Sequence, residues 1–187
     1  EELVYCTSEP YRLCTFSRVI KEKGIEDAVN AVRQINESAG RVVFSLDIFG
    51  MIEPGREGWF ENLSAQFPDY VRYGGMVPFD KSTDVLKNYF SILFPTTYEG
   101  EGFAGTLIDA QAAGVPVLAS DWRYNSEIVK DGVNGMLHKA GSLKELTDCL
   151  LRLAQDPSSW NDMKPGCLER ARHYIPSECL KPLLKRL

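Results

Sequence analysis

Hydrophobic positions along the 187-residue chain alternate between short continuous runs and helical spacing. RLCTF (12–16) reads as a strand. Ile25, Ala28, Val29, Val32 and Ile35 then recur at helical intervals, and Gly40 is a C-terminal stop. RVVFSLDIFG (41–50) is the second strand. Trp59, Phe60, Leu63 and Phe67 mark a second amphipathic helix, ended before Pro68. YVRY (70–73) is a third strand, followed by Gly74-Gly75. A short helix around 81–89 precedes SILF (91–94). A helix over 105–113 stops at Gly114, and VPVLAS (115–120) follows. A helix over about 124–130 turns at Asp131-Gly132 into NGMLH (134–138). Ser142 and Glu145 have capping-box spacing ahead of Leu143, Leu146, Leu150 and Leu153. A last helical segment, about 158–174, is expected to break near Pro165-Gly166.

Strands alternating with helices of this length make βαβ units and a parallel sheet. The predicted fold class is α/β: a Rossmann-like, doubly wound parallel sheet of about six strands flanked by helices. In such sheets ligands bind outside the carboxyl ends of the strands. The loops after Phe16, Phe49, Tyr73, Phe94 and Ser120 are therefore where chemistry is expected. The length suits one well-buried domain and is short for two.

Composition narrows the function. The net charge is −5 with no Lys/Arg block, against a nucleic-acid partner. Apolar runs are strand-length, so no membrane span is expected. The start, EELVYCTSEPYRL, lacks the basic and apolar regions of a signal peptide. It also lacks Met, and a piece of a longer polypeptide is expected. The five cysteines (6, 14, 149, 167, 179) show no Cys-x-x-Cys spacing, so free thiols of a cytoplasmic protein are expected rather than zinc or disulfides. His138 and His173 have no partner motif and read as surface or packing residues. No Gly-x-Gly-x-x-Gly follows the first strand, which argues against a dinucleotide enzyme.

Two loops carry candidate chemistry. In Phe16-Ser-Arg18-Val-Ile-Lys-Glu-Lys23-Gly24, Arg18 and Lys23 precede a helix N-terminus, where cations oppose the dipole. An anion shared between them accounts for this, since guanidinium grips phosphate oxygens in pairs and ammonium adds a mobile point charge. Two solvated loop cations are the competing reading. In FPTTYEGEGFAGTLIDAQAAGVPVLASD (94–121), glycines 100, 102 and 105 allow close backbone approach, and a helix starting near Gly105 or Thr106 aims free N–H groups at a ligand. Thr106 and Asp109 have capping-box spacing, and Glu101 suits a helix N-terminus by charge alone. Those local roles do not explain two acidic-glycine pairs in tandem. Carboxylates beside an anion-type loop suit a ligand with both phosphates and hydroxyls, a nucleotide sugar.

This segment resembles the signature of retaining GT-B-type glycosyltransferases, Glu-Gly-Phe-Gly-x4-Glu-Ala-x-Ala-x-Gly-x-Pro-Val. It appears as Glu101-Gly102-Phe103-Ala104, then Asp109-Ala110-Gln111-Ala112 and Gly114-Val115-Pro116-Val117. Ser17-Arg18-x4-Lys23-Gly24 resembles the family's Gly-Arg-x4-Lys-Gly, and Glu127 to Gly135 resembles Glu-Ile-Val-x-Asp-Gly-x-Asn-Gly. The resemblance spans nearly the whole chain. It implies the C-terminal, donor-binding half of a GT-B fold, residues 1–187 forming a single nucleotide-sugar-binding domain whose N-terminal acceptor domain is absent from this chain.

It further implies roles. Arg18 and Lys23 would bind the donor diphosphate, and Glu101 would meet the sugar hydroxyls. Asp109 would hold the ribose. Backbone N–H groups of Phe103, Ala104, Gly105 and Thr106 would face diphosphate or sugar, and Gly75, Met76 and Val77 would lie along the base. No metal or other cofactor is implied. The acceptor would be a saccharide or lipid-linked saccharide, the pathway polysaccharide, capsule or glycoconjugate synthesis. The location would be cytoplasmic, with the full-length enzyme peripheral at the inner face of the membrane. The isolated domain is expected to bind nucleotide without turnover. A non-catalytic nucleotide-sugar module and a GT-B nucleotide-sugar epimerase are the alternatives.

The chain departs from the pattern at Ser17, Ala104 and Asp109. Glu99-Gly100 is an insertion that competes with Glu101 for the sugar role, and the seven-residue gap to Asp109 favours Glu101. Asp121-Trp122-Arg123-Tyr124-Asn125 replaces a glycine turn, either as a ligand contact or as a packed corner. Leucines 180, 183, 184 and 187 of the tail are expected to face the missing domain.

Overall fold

The computed structural model describes residues 3–181. Its six strands are β1 (Tyr11–Phe16), β2 (Phe44–Phe49), β3 (Val71–Gly75), β4 (Ser91–Phe94), β5 (Val117–Asp121) and β6 (Gly135–Lys139). All pair in parallel, in the order β3-β2-β1-β4-β5-β6. Leu13 on β1 lies opposite Leu46 on β2 and Ser91 on β4. The strand order reverses between β1 and β4, and the crevice that opens there is where such sheets bind ligands.

The helices are α1 (Ile25–Ala39), α2 (Glu57–Ser64), α3 (Ser82–Leu86), α4 (Gly105–Ala112) and α5 (Asn125–Ile128), followed by α6 (Leu143–Gln155), α7 (Pro157–Asp162), α8 (Lys164–Arg172) and α9 (Pro176–Cys179). On one side of the sheet Val29, Val32, Leu46, Ile48, Leu93, Leu146, Leu150 and Trp160 share a buried core. On the other, Ile92, Phe94, Leu107, Ala110, Val117 and Ile128 form a second. Leu93 thus faces one core while its neighbours face the other. A strand covered on both faces has no polar side, which is why Ile92, Leu93 and Phe94 are all apolar and the buried Ser91 hydroxyl donates to Pro116 O at 3.0 Å. Each fully buried Leu or Ile contributes about 1.5–3 kcal/mol relative to exposure.

Three local expectations are revised. The Ser142 box is half-formed: the Ser142 hydroxyl accepts from Glu145 N–H at 3.2 Å, but the Glu145 carboxylate accepts from Lys139 N–H at 2.8 Å. With Asp131 accepting from Leu137 N–H at 2.6 Å, it satisfies N–H groups along edge strand β6 and blunts that edge. The expected helix at 158–174 breaks at Met163 rather than at Pro165-Gly166, because Pro165 fits the first turn of α8, where its missing N–H costs nothing. The helix that contains Trp59 ends at Ser64, short of Phe67. Of the tail leucines, Leu180 is exposed, and Leu183, Leu184 and Leu187 lie outside the described residues. Among the described residues no helix is long and apolar enough to cross a membrane.

Candidate functional site

The loops after β1 and β4 meet at the crevice. The β1 loop passes through a 3-10 turn, Lys21–Lys23, to Gly24 ahead of α1. Gly24 has φ 70°, and a Cβ there would lie 2.3 Å from the Pro95 carbonyl oxygen. Only glycine permits this approach, and it brings Lys23 under the glutamate loop. Lys23 Nζ lies 2.5 Å from Glu101 Oε2, and the Thr96 hydroxyl donates to the same oxygen at 2.8 Å. The two side chains are only 9% and 8% exposed. Charges this deep need a partner, and here each supplies the other's.

Tyr98 joins the second cation to the first. Its ring centroid is 5.2 Å from Lys23 Nζ and 5.1 Å from Arg18 Cζ. A Cβ on Gly100 would lie 2.8 Å from that ring, so the inserted glycine leaves room for it. Arg18 is half-exposed, and its Nη1 donates to both oxygens of Glu53 at 3.2 and 3.3 Å. Its pKa is raised above the ordinary arginine value by the Tyr98 hydroxyl first and by Glu53 after it. Glu99 takes no part: it pairs with Arg123 on the surface, its side chain 77% exposed. The geometry brings Glu101, and not Glu99, to Lys23.

The start of α4 faces the same crevice. Its N-cap is Ala104, with no side-chain cap. Thr106 is the second helical residue, so the Thr106–Asp109 capping box is not made. Leu107 N–H bonds back to Ala104 at 3.0 Å. Among the described residues, the N–H groups of Phe103, Ala104, Gly105 and Thr106 find no acceptor. Unused donors at the positive end of a helix can take an anion. Beside them a pocket of about 220 Å³ is lined by Phe16, Ser17, Phe49, Gly50, Met51, Met76, Val77 and Thr106. Met76 and Val77 thus share a pocket with the helix start. Gly75 sits behind them, its carbonyl accepting from Gly50 N–H at 2.9 Å.

Other expected residues fall nearby or outside. Asp109 lies one turn along α4 from Gly105, half-buried. Burial raises its carboxyl above the usual range, partly offset by the Ser82 hydroxyl. The Phe103 side chain points to the α8–α9 side, its ring 5.5 Å from Tyr174. Trp122 is a packed corner, its indole N–H donating to Tyr98 O at 2.9 Å, whereas Tyr124 is exposed. His138 is buried and packing, and His173 is on the surface. All five cysteines are free. A larger cleft, about 460 Å³, borders Ala113, at the opposite end of α4 from the donors, so volume does not mark the site. Thr96, Tyr98 and Glu53 were not expected. No periodicity marks them, and each matters through a partner distant in sequence.

The profile of the family described as Glycosyl transferases group 1 matches residues 10–156. The chain belongs to that family. Among its group 1 relatives, an uncharacterized glycosyltransferase of Methanocaldococcus jannaschii is 26% identical over 88% of this chain and 40% of its own length. The GtfA subunit of the UDP-N-acetylglucosamine–peptide N-acetylglucosaminyltransferase of Streptococcus pneumoniae is 31% identical over 72% of this chain and 25% of its own. The crystal structure of pneumococcal GtfA with UDP and GlcNAc superposes with a TM-score of 0.79 at 26% identity, over 95% of this chain and 35% of that one. Anabaena HepE with UDP and glucose gives 0.80 at 18% identity, over 94% of this chain and 47% of that one, a likeness of fold. The sheet and its helices are those of GT-B glycosyltransferases. This chain spans less than half the length of these relatives.

Proposed function

We propose that this domain binds the nucleotide-sugar donor for a retaining GT-B glycosyltransferase that moves a sugar to an acceptor hydroxyl in polysaccharide or glycoconjugate synthesis. One observation carries the reading: the buried Lys23–Glu101 pair stands beside the acceptor-free N–H groups of 103–106, at the β1/β4 crevice. Phosphates and hydroxyls need opposite chemistry, and the site offers both within a few residues.

In this reading the α4 donors take the diphosphate with Arg18 and Lys23, stabilising charge on the departing nucleotide without a metal. Glu101, with one oxygen outside the pair, accepts from the sugar hydroxyls. Asp109 reaches the ribose, and the base lies in the pocket of Met76 and Val77. UDP is the first donor nucleotide to test, because GtfA and HepE are described with it. The acceptor site belongs to the rest of the longer protein, and the domain alone binds without turning over.

The test is calorimetric titration of the chain with a panel of nucleoside diphosphates and nucleotide sugars, with transfer assayed in the full-length protein. Saturable binding that requires the diphosphate supports the reading. Indifference to every nucleotide, or sugar transfer by the 187-residue chain alone, contradicts it.

A further inference from the structure

Glu53 reaches the site from a loop that no sequence motif marks. The β1–β2 pairing continues beyond both strands: Val19 N–H donates to Met51 O at 2.8 Å, Glu53 N–H to Val19 O at 3.3 Å, and Val19 and Ile52 form a parallel bridge. Val19 is fully buried, and Ile52 packs on the core, so the extension is anchored. Pro54 follows Glu53 and confines it to extended backbone. Bridge, hydrogen bond and proline together set Glu53 opposite Arg18 before the side chains meet.

The contact has a direction. Both carboxylate oxygens take Nη1 of Arg18, at 3.2 and 3.3 Å. The Nε–Nη2 edge, which can grip two phosphate oxygens in parallel, lies outside the pair. The Tyr98 ring flanks the same guanidinium at 5.1 Å. A free arginine loses much rotamer freedom when it clamps a ligand, and fixing it beforehand removes that cost.

We propose that Glu53 is a positioning residue for Arg18, holding Nη1 so that the other edge of the guanidinium is presented to the donor diphosphate. The inference rests on the donor-binding reading above. Two effects compete, because the carboxylate also repels the phosphates. Glu53 is about one-third exposed and Arg18 more so, and water screens the repulsion. The short-range positioning effect therefore wins.

The test is titration of the chain with UDP in wild type, Glu53→Ala, Glu53→Gln, Arg18→Ala and the Arg18→Ala/Glu53→Ala double variant, with unfolding curves confirming that each is folded. Glu53→Ala is expected to weaken binding about two- to five-fold, the range of an exposed pair. Glu53→Gln keeps an acceptor for Nη1 and stays within about twofold of wild type. With Arg18 already removed, Glu53→Ala has no further effect. Unchanged or tighter binding by Glu53→Ala overturns the proposal, as does an equal loss in the Arg18→Ala background. Failure of the wild type to bind any nucleoside diphosphate of the panel titrated under the proposed function is a separate result, which sinks the donor-binding reading and this inference with it.

Discussion

Replacing Lys23 with Met strands the Glu101 carboxylate where its side chain is 8% exposed, with the Thr96 hydroxyl at 2.8 Å as its remaining partner. Removing one member of a buried pair costs about 3–5 kcal/mol. The surviving Thr96 bond places this case near the lower end, at about 3 kcal/mol. Glu101→Leu leaves the ammonium of Lys23 against the Phe94 and Tyr98 rings at a similar cost. The double variant removes both charges at roughly constant volume and should be close to neutral. The two changes are thus strongly non-additive, the signature of direct contact. By contrast Arg123→Ala, which breaks the exposed pair to Glu99, should cost under about 1 kcal/mol. Urea unfolding followed by tryptophan fluorescence reads this directly. With m of about 2–3 kcal/mol/M, each single variant lowers the midpoint by about 1 M, and the double variant barely moves it. Single shifts below about 0.3 M, or additive ones, would refute the buried-pair argument.

Gly24→Ala puts a Cβ 2.3 Å from the Pro95 carbonyl at φ 70°, and should cost about 2–3 kcal/mol, seen as a melting point lower by about 5–10 °C. An unchanged melting point would show that the two loops can separate freely. Burial holds the His138 imidazole below its ordinary value, against the opposing pulls of the Lys139 carbonyl, Glu145 and Asp27. The unfolded chain therefore binds more protons below about pH 6.5, so this contribution to stability is full above that pH and falls as pH drops toward the folded value. An NMR titration of His138 with its midpoint above about 6.5 contradicts that sign. In the full-length protein, Glu101→Ala should lower kcat/KM about 10- to 100-fold, while Glu99→Ala changes it little. The opposite order would move the sugar contact to Glu99.

The sheet was legible because its signals are local. SILF matched β4 residue for residue, since a strand buried on both faces is a bounded apolar run. The motif order carried Lys23 and Glu101 to the same crevice, although 78 residues separate them. Their ion pair was not legible, because it depends on Gly24 letting one loop touch another. Thr106–Asp109 shows the converse: the spacing was right, but the helix begins at Gly105 and leaves the hydroxyl no capping position. Glu53 had no signal at all. It follows Ile52 in a turn-like Glu-Pro-Gly, and its importance comes from an irregular extension of the β1–β2 pairing that no periodicity encodes.

If the domain binds a nucleotide sugar as proposed, the start of α4 takes the phosphates. Amide chemical-shift mapping of the labelled chain during titration with UDP tests it. The largest shifts are expected on Phe103, Ala104, Gly105 and Thr106, with smaller ones on residues 17–24 and 75–77, and Lys23→Met is expected to abolish them. Saturable shifts confined to the cleft beside Ala113, with 103–106 unmoved, would contradict it.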